Sequence, residues 1–546
     1  MSEQPEPRFG EADLTNCDRE PIHVPGSIQP HGALLALEEP ELTVVQVSDN
    51  VEAVLGSRAE ELLLRSFDEL LGRERAALFR ARYLGLSSFV DLNPVVLEAL
   101  DPAGAVRVFD GVFHRSGGLL VLEIEPAPAR APGYVDQFVR RARTSLSALQ
   151  SSGSVSELLG TAADRVRDLT GFDRVMVYRF DRDWHGVVVA EARREDLEPF
   201  LGLHYPASDI PRQARELYAR NWLRLIPDVG YVPARLVPAE NPATGTPLDL
   251  TFSVLRSVSP LHLEYLRNMG VAASLSISLL KDGRLWGLVA CHHTRPRRLP
   301  YEVRAVCEFL GQVLSWQLST KTEAERAARR LRAQQDQAQL VEAMSLDAAP
   351  LEGLLAKKER FLGFAGASGG ALVYQGTLHT VGAVPPAAEI LALVERLADS
   401  GVEEVFATDC LASLHPLAER FRDAAAGVLA LALSREHRHF VLWFRPEAPP
   451  HRHLGRRPEQ AGGGRGPGAA PDPAQVVRGV AGAGPAALPG LGRGGPGGRA
   501  RPARRAARGH RPARRRAEAA QRRASGRRCA PAMTSSRSPR TSSRRR

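Results

Sequence analysis

Cys17 is the first residue whose setting suggests reactivity. It stands in Asn16-Cys-Asp-Arg-Glu-Pro-Ile-His-Val-Pro-Gly-Ser-Ile-Gln-Pro-His-Gly32, where the prolines and the Gly-Ser pair impose an irregular path instead of a helix or strand. A cysteine in a polar segment with Arg19 nearby is reachable and would ionise readily, the two conditions for a thiol nucleophile. The plain alternative is a surface thiol without a role. A second cluster is Leu203-His-Tyr-Pro-Ala-Ser-Asp-Ile-Pro-Arg-Gln-Ala-Arg215. Pro211 holds Ile210 extended and can open a helix, which turns Asp209 away from that helix toward a neighbouring cavity. Ser208 or Asp209 could equally be a helix cap.

The third cluster is Arg256-Ser-Val-Ser-Pro-Leu-His-Leu-Glu-Tyr-Leu266. Pro260 starts a helix, with His262 in its first turn and Tyr265 on a nearby face. Arg256 and Ser259 stand at the positive helix end, a natural seat for carboxylates. A satisfied polar histidine is the bland reading of His262. Ser274 and Ser276 alternate along one strand face and His292 ends the next strand, which suggests a polar ligand lying against that sheet. His292 and His293 are adjacent, so they point to opposite faces and make a poor metal pair. No Ser–His–Asp, paired-carboxylate, phosphate-loop or metal-spaced pattern accompanies them.

The elements that position these groups follow from periodicity. Ala33–Leu37, Leu42–Val47, Val106–Val112 and Gly118–Ile124 read as strands and Ala59–Leu71 as a helix, giving a small α+β domain that ends near Pro132. Helical spacing over Tyr134–Leu149 and Val155–Leu169 leads into a second α+β domain. Its strands are Arg174–Phe180, Val187–Glu191, Ala273–Leu280 and Arg284–His292. A helix from Tyr301 to Ser345 carries an apolar stripe at Val303, Val306, Leu310, Val313 and Leu314, and is long enough to require another helix or subunit to pack on. Gly370–Tyr374, Ala388–Leu397, Gly427–Leu433 and Phe440–Phe444 outline a third α+β domain.

The chain has 546 residues, too many for one core. Its five cysteines, at 17, 291, 307, 410 and 529, form no closely spaced pair, which argues against zinc and disulfide scaffolds and suits a reducing cytoplasm. No apolar run approaches the roughly 20 residues that cross a bilayer. The net charge of +10 is misleading: residues 448–546 hold 24 Arg, no Lys and 3 acids, a local +21, so the first 447 residues carry −11. A nucleic-acid role for the folded part therefore finds no support in the overall charge.

Taken together, residues 10–447 resemble the bacteriophytochrome photosensory module, a tandem PAS, GAF and PHY array. The resemblance rests on the leader ending Pro-Gly-Ser-Ile-Gln-Pro-His-Gly, the Pro-Ala-Ser-Asp-Ile-Pro stretch and the Arg-Ser-Val-Ser-Pro-Leu-His helix start, in that order. It implies an N-terminal leader (1–20), a PAS domain (21–132), a GAF bilin-binding domain (133–320), an incomplete PHY domain (321–447) and a low-complexity basic tail (448–546). It also implies biliverdin, attached by a thioether from Cys17 to the ring-A vinyl group. Asp209 would offer its carbonyl to the pyrrole N–H groups, with Ile210 and Pro211 in the same turn along the bilin, and His262 would reach that centre through water. Arg224 and Arg256 would clamp the propionates, Ser259, Ser274 and Ser276 would add hydroxyl contacts, and Tyr178, Tyr205, Tyr265 and His292 would surround ring D. A knot, with the leader threaded through a GAF loop, is implied too.

The sequence departs from the family after Trp443-Phe-Arg-Pro-Glu447, where a chromophore-covering hairpin with Trp-x-Gly-Asp-Pro and Pro-Arg-x-Ser-Phe would be expected. Back-translation of residues 451–462, shifted by one nucleotide, permits Thr-Val-Thr-Trp-Ala-Gly-Asp-Pro. Residues 471–482 permit Leu-Thr-Pro-Arg-Lys-Ser-Phe in that same register. The tail therefore reads as an out-of-frame, disordered product of a GC-rich gene, and any polyanion binding by it would be nonspecific. Histidine-kinase ATP-binding boxes are not readable, so no autophosphorylation is expected, and without the hairpin the far-red state should be incomplete or short-lived. The expectation is a cytoplasmic red/far-red photoreceptor, dimeric through its long helices, with a response regulator as partner in intact relatives and no membrane. The competing reading is a light-independent PAS/GAF sensor of haem or a nucleotide.

Overall fold

The computed structural model describes residues 7–447 apart from 14, 84–88, 90–92, 101–105, 129–133, 347–349, 401–403 and 435–437. The readings of the tail, its register and the covering hairpin lie outside the described residues. Among the described residues three antiparallel sheets of five or more strands appear in sequence order, each with helices on at least one face, as the α+β reading and its PAS–GAF–PHY form require; a fourth pairs only Glu240–Asn241 with Thr246–Pro247.

The first sheet has seven strands, in the order Ser27–Ile28, Ala234–Val237, Thr43–Ser48, Ala33–Glu38, Leu119–Pro126, Val106–Ser116, Val95–Leu100. Strand Ala33–Glu38 is apolar on both sides because both sides are covered. Ala33, Leu35 and Leu37 face a core containing Phe67, Phe79 and Phe113, while Leu34 and Ala36 face Ile28, Leu236, Leu250 and Leu255. The second layer comes from the leader and from the 227–258 excursion of the next domain. Leader residues 23–29 are hydrogen-bonded on both edges by that one excursion. On one side Leu236 N–H donates to Gly26 O (3.0 Å); on the other, Leu250 N–H reaches His23 O (2.8 Å) and Gln29 N–H reaches Leu255 O (2.7 Å). This enclosure is the physical content of the implied threading.

The helix expected over Ala59–Leu71 is broken. Short helices occupy Ala59–Leu62 and Phe67–Leu71, and between them the backbone pairs with the neighbouring strand: Leu64 N–H donates to Val44 O, Val44 N–H to Arg65 O and Phe67 N–H to Leu42 O, at 2.8–2.9 Å. Tertiary pairing overrides the helical pattern, and Leu64 takes φ +64° to allow the turn.

The second sheet has six strands, ordered Leu223–Ile226, Ala273–Lys281, Arg284–His293, Arg174–Phe180, Gly186–Arg193, His204–Tyr205. Val175, Val177, Leu275, Ile277, Val289 and Cys291 cover one face and pack beneath Leu158, Ala162 and Val166 of helix Val155–Thr170, with Cys307, Leu310 and Leu314 of helix Tyr301–Leu346 beside them. Period 2 then sends Met176, Tyr178, Ser274, Ser276, Ala290 and His292 to the opposite face. Helix Val155–Thr170 is closed by Ser154, which accepts from Glu157 N–H (3.2 Å), and by Gly171 at φ +63°.

Helix Tyr301–Leu346 is continuous across residue 320 into the third unit. It finds the helical partners its length demands: Glu325 accepts from Val155 N–H at 2.9 Å, and Leu340 joins Phe361 and Trp443 in a core. The third sheet runs Thr377–Gly382, Gly369–Tyr374, His439–Arg445, Gly427–Ser434, Val405–Thr408. Ile390, Leu393, Val394 and Leu397 of helix Ala387–Asp399 cover one side. A buried ion pair ties the long helix to the first sheet, Arg304 Nη2 to Glu125 Oε1 at 2.6 Å.

Candidate functional site

The free face of the six-stranded sheet is the floor of a cavity of about 670 Å³. Register assembles its polar spots: Arg224 lies opposite Ser276, and Ser274 opposite His292. His293 goes to the other face, with Nδ1 2.9 Å from Asp173, as adjacency on a strand required. One wall is the turn before helix Arg212–Arg220. Ala207–Asp209 forms a single 3₁₀ turn, Ile210 is extended at φ −127°, ψ 87°, and Pro211 is the N-cap. Neither Ser208 nor Asp209 caps the helix through its side chain. The Asp209 carboxylate instead accepts from Tyr265 O–H at 3.2 Å. Arg215 fastens the turn by donating to Ala207 O (3.2 Å) and Ile210 O (2.7 Å).

The opposite wall is helix Pro260–Asn268, with Pro260 at its start as expected. His262 and Tyr265 stack there, ring centroids 6.0 Å apart and 16° from parallel. Tyr178 meets Tyr205 at 5.7 Å and Phe180 edge-on at 5.2 Å. Room for the Tyr178 ring comes from Gly186, where any Cβ would sit 1.6 Å from Tyr178 Cζ. Cys17 stands at the rim, and all fourteen candidate residues of the sequence reading line this one cavity.

Charge and burial set the chemistry. Burial, reinforced by Arg224, holds the His262 imidazole down at about 4. Burial with Arg174 and His262 holds His292 at about 3, so both rings are neutral at physiological pH. Burial raises Asp209 to about 6, against a smaller lowering by the Tyr265 hydroxyl. Burial also raises the phenols of Tyr178, Tyr205 and Tyr265, leaving them as neutral donors. The Cys17 thiol corrects the sequence expectation: burial, then Asp18, push it up, so Arg19 does not make it a ready thiolate.

Two guanidinium groups are sunk side by side in the cavity wall. Arg224 donates to Arg256 O and to Ser257 O (3.1 Å), and Arg256 donates to Thr251 O (3.0 Å). Burial, with Arg224 second, lowers Arg256 to about 9. Arg256 Nε, the Tyr205 hydroxyl and Gln213 Oε1 are buried without a hydrogen-bond partner. Buried cations and orphaned polar atoms around an otherwise apolar cavity fit an elongated apolar molecule bearing carboxylates. Among the described residues no cluster of His, Cys, Asp and Glu could hold a metal ion, and no helix is long and apolar enough to cross a membrane.

Comparison with known proteins decides the family. Residues 17–127 match the PAS fold, 154–320 the GAF domain and 333–455 the phytochrome region. The photosensory core module of a Stigmatella aurantiaca phytochrome superposes with a TM-score of 0.66 at 47% identity, covering 80% of this chain and 86% of that one. The chain belongs to the phytochrome family. Its fold is likewise that of a bacteriophytochrome from R. palustris, with a TM-score of 0.67, 41% identity and the same 80% and 86% coverage. Phytochrome sequences agree: cyanobacterial phytochrome B of Nostoc sp. is 45% identical over 437 residues, 80% of this chain and 58% of the relative. A Pseudomonas aeruginosa bacteriophytochrome is 38% identical over 453 residues, 82% and 60% respectively. The chain thus spans about three fifths of the length of these phytochromes.

Sequence reading passed over several residues that shape this phytochrome cavity. Gly186 was invisible because its role is a close approach across strands. Arg215, Gln213 and Glu20 all stood inside the quoted motifs, but nothing in linear spacing ties Gln213 to the leader.

Proposed function

We propose that the chain is the light-sensing part of a red/far-red photoreceptor that binds biliverdin covalently through Cys17. The observation that carries this reading is the cavity itself: one largely apolar chamber with a cysteine, the buried Arg256 and half-buried Arg224 in its wall and neutral imidazole and phenol groups around it. Arg224 and Arg256 would pair with the propionates, for which planar guanidinium forks suit carboxylates, and Ser259, Ser274 and Ser276 would add hydroxyl contacts. Asp209, Ile210, Pro211 and His262 would face the pyrrole nitrogens. Tyr178, Tyr205, Tyr265 and His292 would surround ring D, the ring that turns.

The pigment supplies the absorption and the isomerisation; the protein supplies shape, hydrogen bonds and charge. A changed ring-D contact would bias the aromatic cluster, and helix Tyr301–Leu346, packed on the far side of the same sheet, would carry the change onward. Domain limits at residues 20, 132, 320 and 447, a homodimer through the long helices, a cytoplasmic location and a response-regulator partner complete the reading. Mixing the full chain with biliverdin tests it. A blue-green protein whose pigment survives denaturation and fluoresces with zinc is expected, and Cys17→Ala should abolish that covalent band. A wild-type chain that stays colourless would refute the proposal.

A further inference from the structure

The raised thiol creates a problem that the leader geometry answers. With little thiolate at neutral pH, the rate of attachment must come from placing the sulfur against its target and not from its ionisation. Cys17 opens a single 3₁₀ turn, Cys17–Arg19, a structure too short to hold a side chain in place by itself. Two side chains fix the turn from outside. Gln213, on helix Arg212–Arg220 directly after the Asp209-Ile210-Pro211 turn, donates its amide to the Cys17 carbonyl. Glu20, three residues beyond the thiol and 3% exposed, accepts from Gly10 N–H at 2.8 Å and from the Ser259 hydroxyl at 2.7 Å. One carboxylate thereby closes the leader on itself and bolts it to the start of the helix that carries His262.

We propose that Glu20 and Gln213, which border the cavity where the leader meets it, are positioning residues for thioether formation at Cys17: they set the sulfur over the bilin's vinyl group. The inference rests on the reading that Cys17 takes a bilin. In the step itself the thiol adds across the vinyl C=C. Sulfur bonds to one carbon, the thiol proton ends on the bilin carbon skeleton, nothing leaves and no oxidant is consumed. Ser259 gains a second role, because its hydroxyl orients the leader carboxylate before any ligand carboxylate is near.

The test separates pigment uptake from covalent attachment in the full chain. Biliverdin is added, uptake is read by visible absorbance, and samples quenched in denaturant at successive times give the covalent fraction by zinc fluorescence. With biliverdin at saturating concentration, so that any change in uptake is allowed for, Glu20→Ala and Gln213→Ala should attach the bound pigment at least about tenfold more slowly than wild type. Glu20→Gln keeps one oxygen to accept from Gly10 N–H, and its amide N–H can donate to the Ser259 hydroxyl with that bond reversed, so it should attach within about threefold of the wild-type rate. Should Glu20→Ala lose uptake through misfolding, Gln213→Ala and Glu20→Gln carry the test. Attachment at the wild-type rate in Gln213→Ala, or attachment falling only in step with uptake, would overturn the proposal. A wild-type chain that takes up no pigment would instead sink the underlying bilin reading.

Discussion

Replacing Asp209 with Asn should make the pigment-free protein more stable at neutral pH. The carboxyl is moved by burial from 3.8 to about 6. An unfolded chain releases this proton near pH 3.8, whereas the folded chain keeps it until about pH 6. Between those values the unfolded state binds fewer protons, so stability falls as pH rises and then stays at the lower level. Each factor of ten in proton affinity is worth about 1.4 kcal/mol, so the full deficit is about 3 kcal/mol, trimmed toward about 2 because the carboxyl is only partly buried. Asn keeps an oxygen to accept the Tyr265 hydroxyl and cannot ionise. Denaturant unfolding at pH 5 and pH 7.5 on wild type and Asp209→Asn measures the difference. The variant should gain about 2 kcal/mol at pH 7.5 and about 1 kcal/mol at pH 5. Equal stability at pH 7.5, or a gain independent of pH, would refute the electrostatic reasoning.

Gly186→Ala places a Cβ on the Tyr178 ring and should destabilise by about 1–3 kcal/mol; calorimetry checks the stability and the visible spectrum checks the displaced tyrosine. Arg256→Ala removes the more deeply buried of the two wall arginines and should weaken biliverdin affinity roughly tenfold or more, measured by absorbance titration with a Cys17→Ala background to exclude attachment. Arg304→Met removes the 2.6 Å partner of the Glu125 carboxylate and leaves it only the more exposed Arg298 at 3.4 Å, which should cost roughly 2–4 kcal/mol, at or below the range for a buried charge left without any partner. Pairing it with Glu125→Leu should recover most of that loss, and a double variant no better than the single would contradict the account of this ion pair.

Strand faces under the cavity were legible because serines and apolar residues alternate from Ser274 to Ile277. Ser274, Ser276 and His292 could be placed on one side before any coordinates were at hand, and Cys17, Asp209 and His262 converge as their motifs suggested. The failures share a cause. The Ala59–Leu71 helix broke because residues 64–67 pair with 42–44, a contact that spacing within the segment cannot reveal. The strands Leu223–Ile226 and Ala234–Val237 escaped notice because each is short and completed by a distant partner. The Cys17 thiol was misjudged because Arg19 is visible in the sequence while burial, the larger influence, is not.

The central claim is tested most directly by digesting biliverdin-loaded protein and weighing the peptide that contains residue 17. A peptide heavier by one intact biliverdin, with Cys291, Cys307 and Cys410 unmodified, is the predicted result. A free thiol at Cys17 beside pigment carried elsewhere, or no pigment at all, would contradict the account.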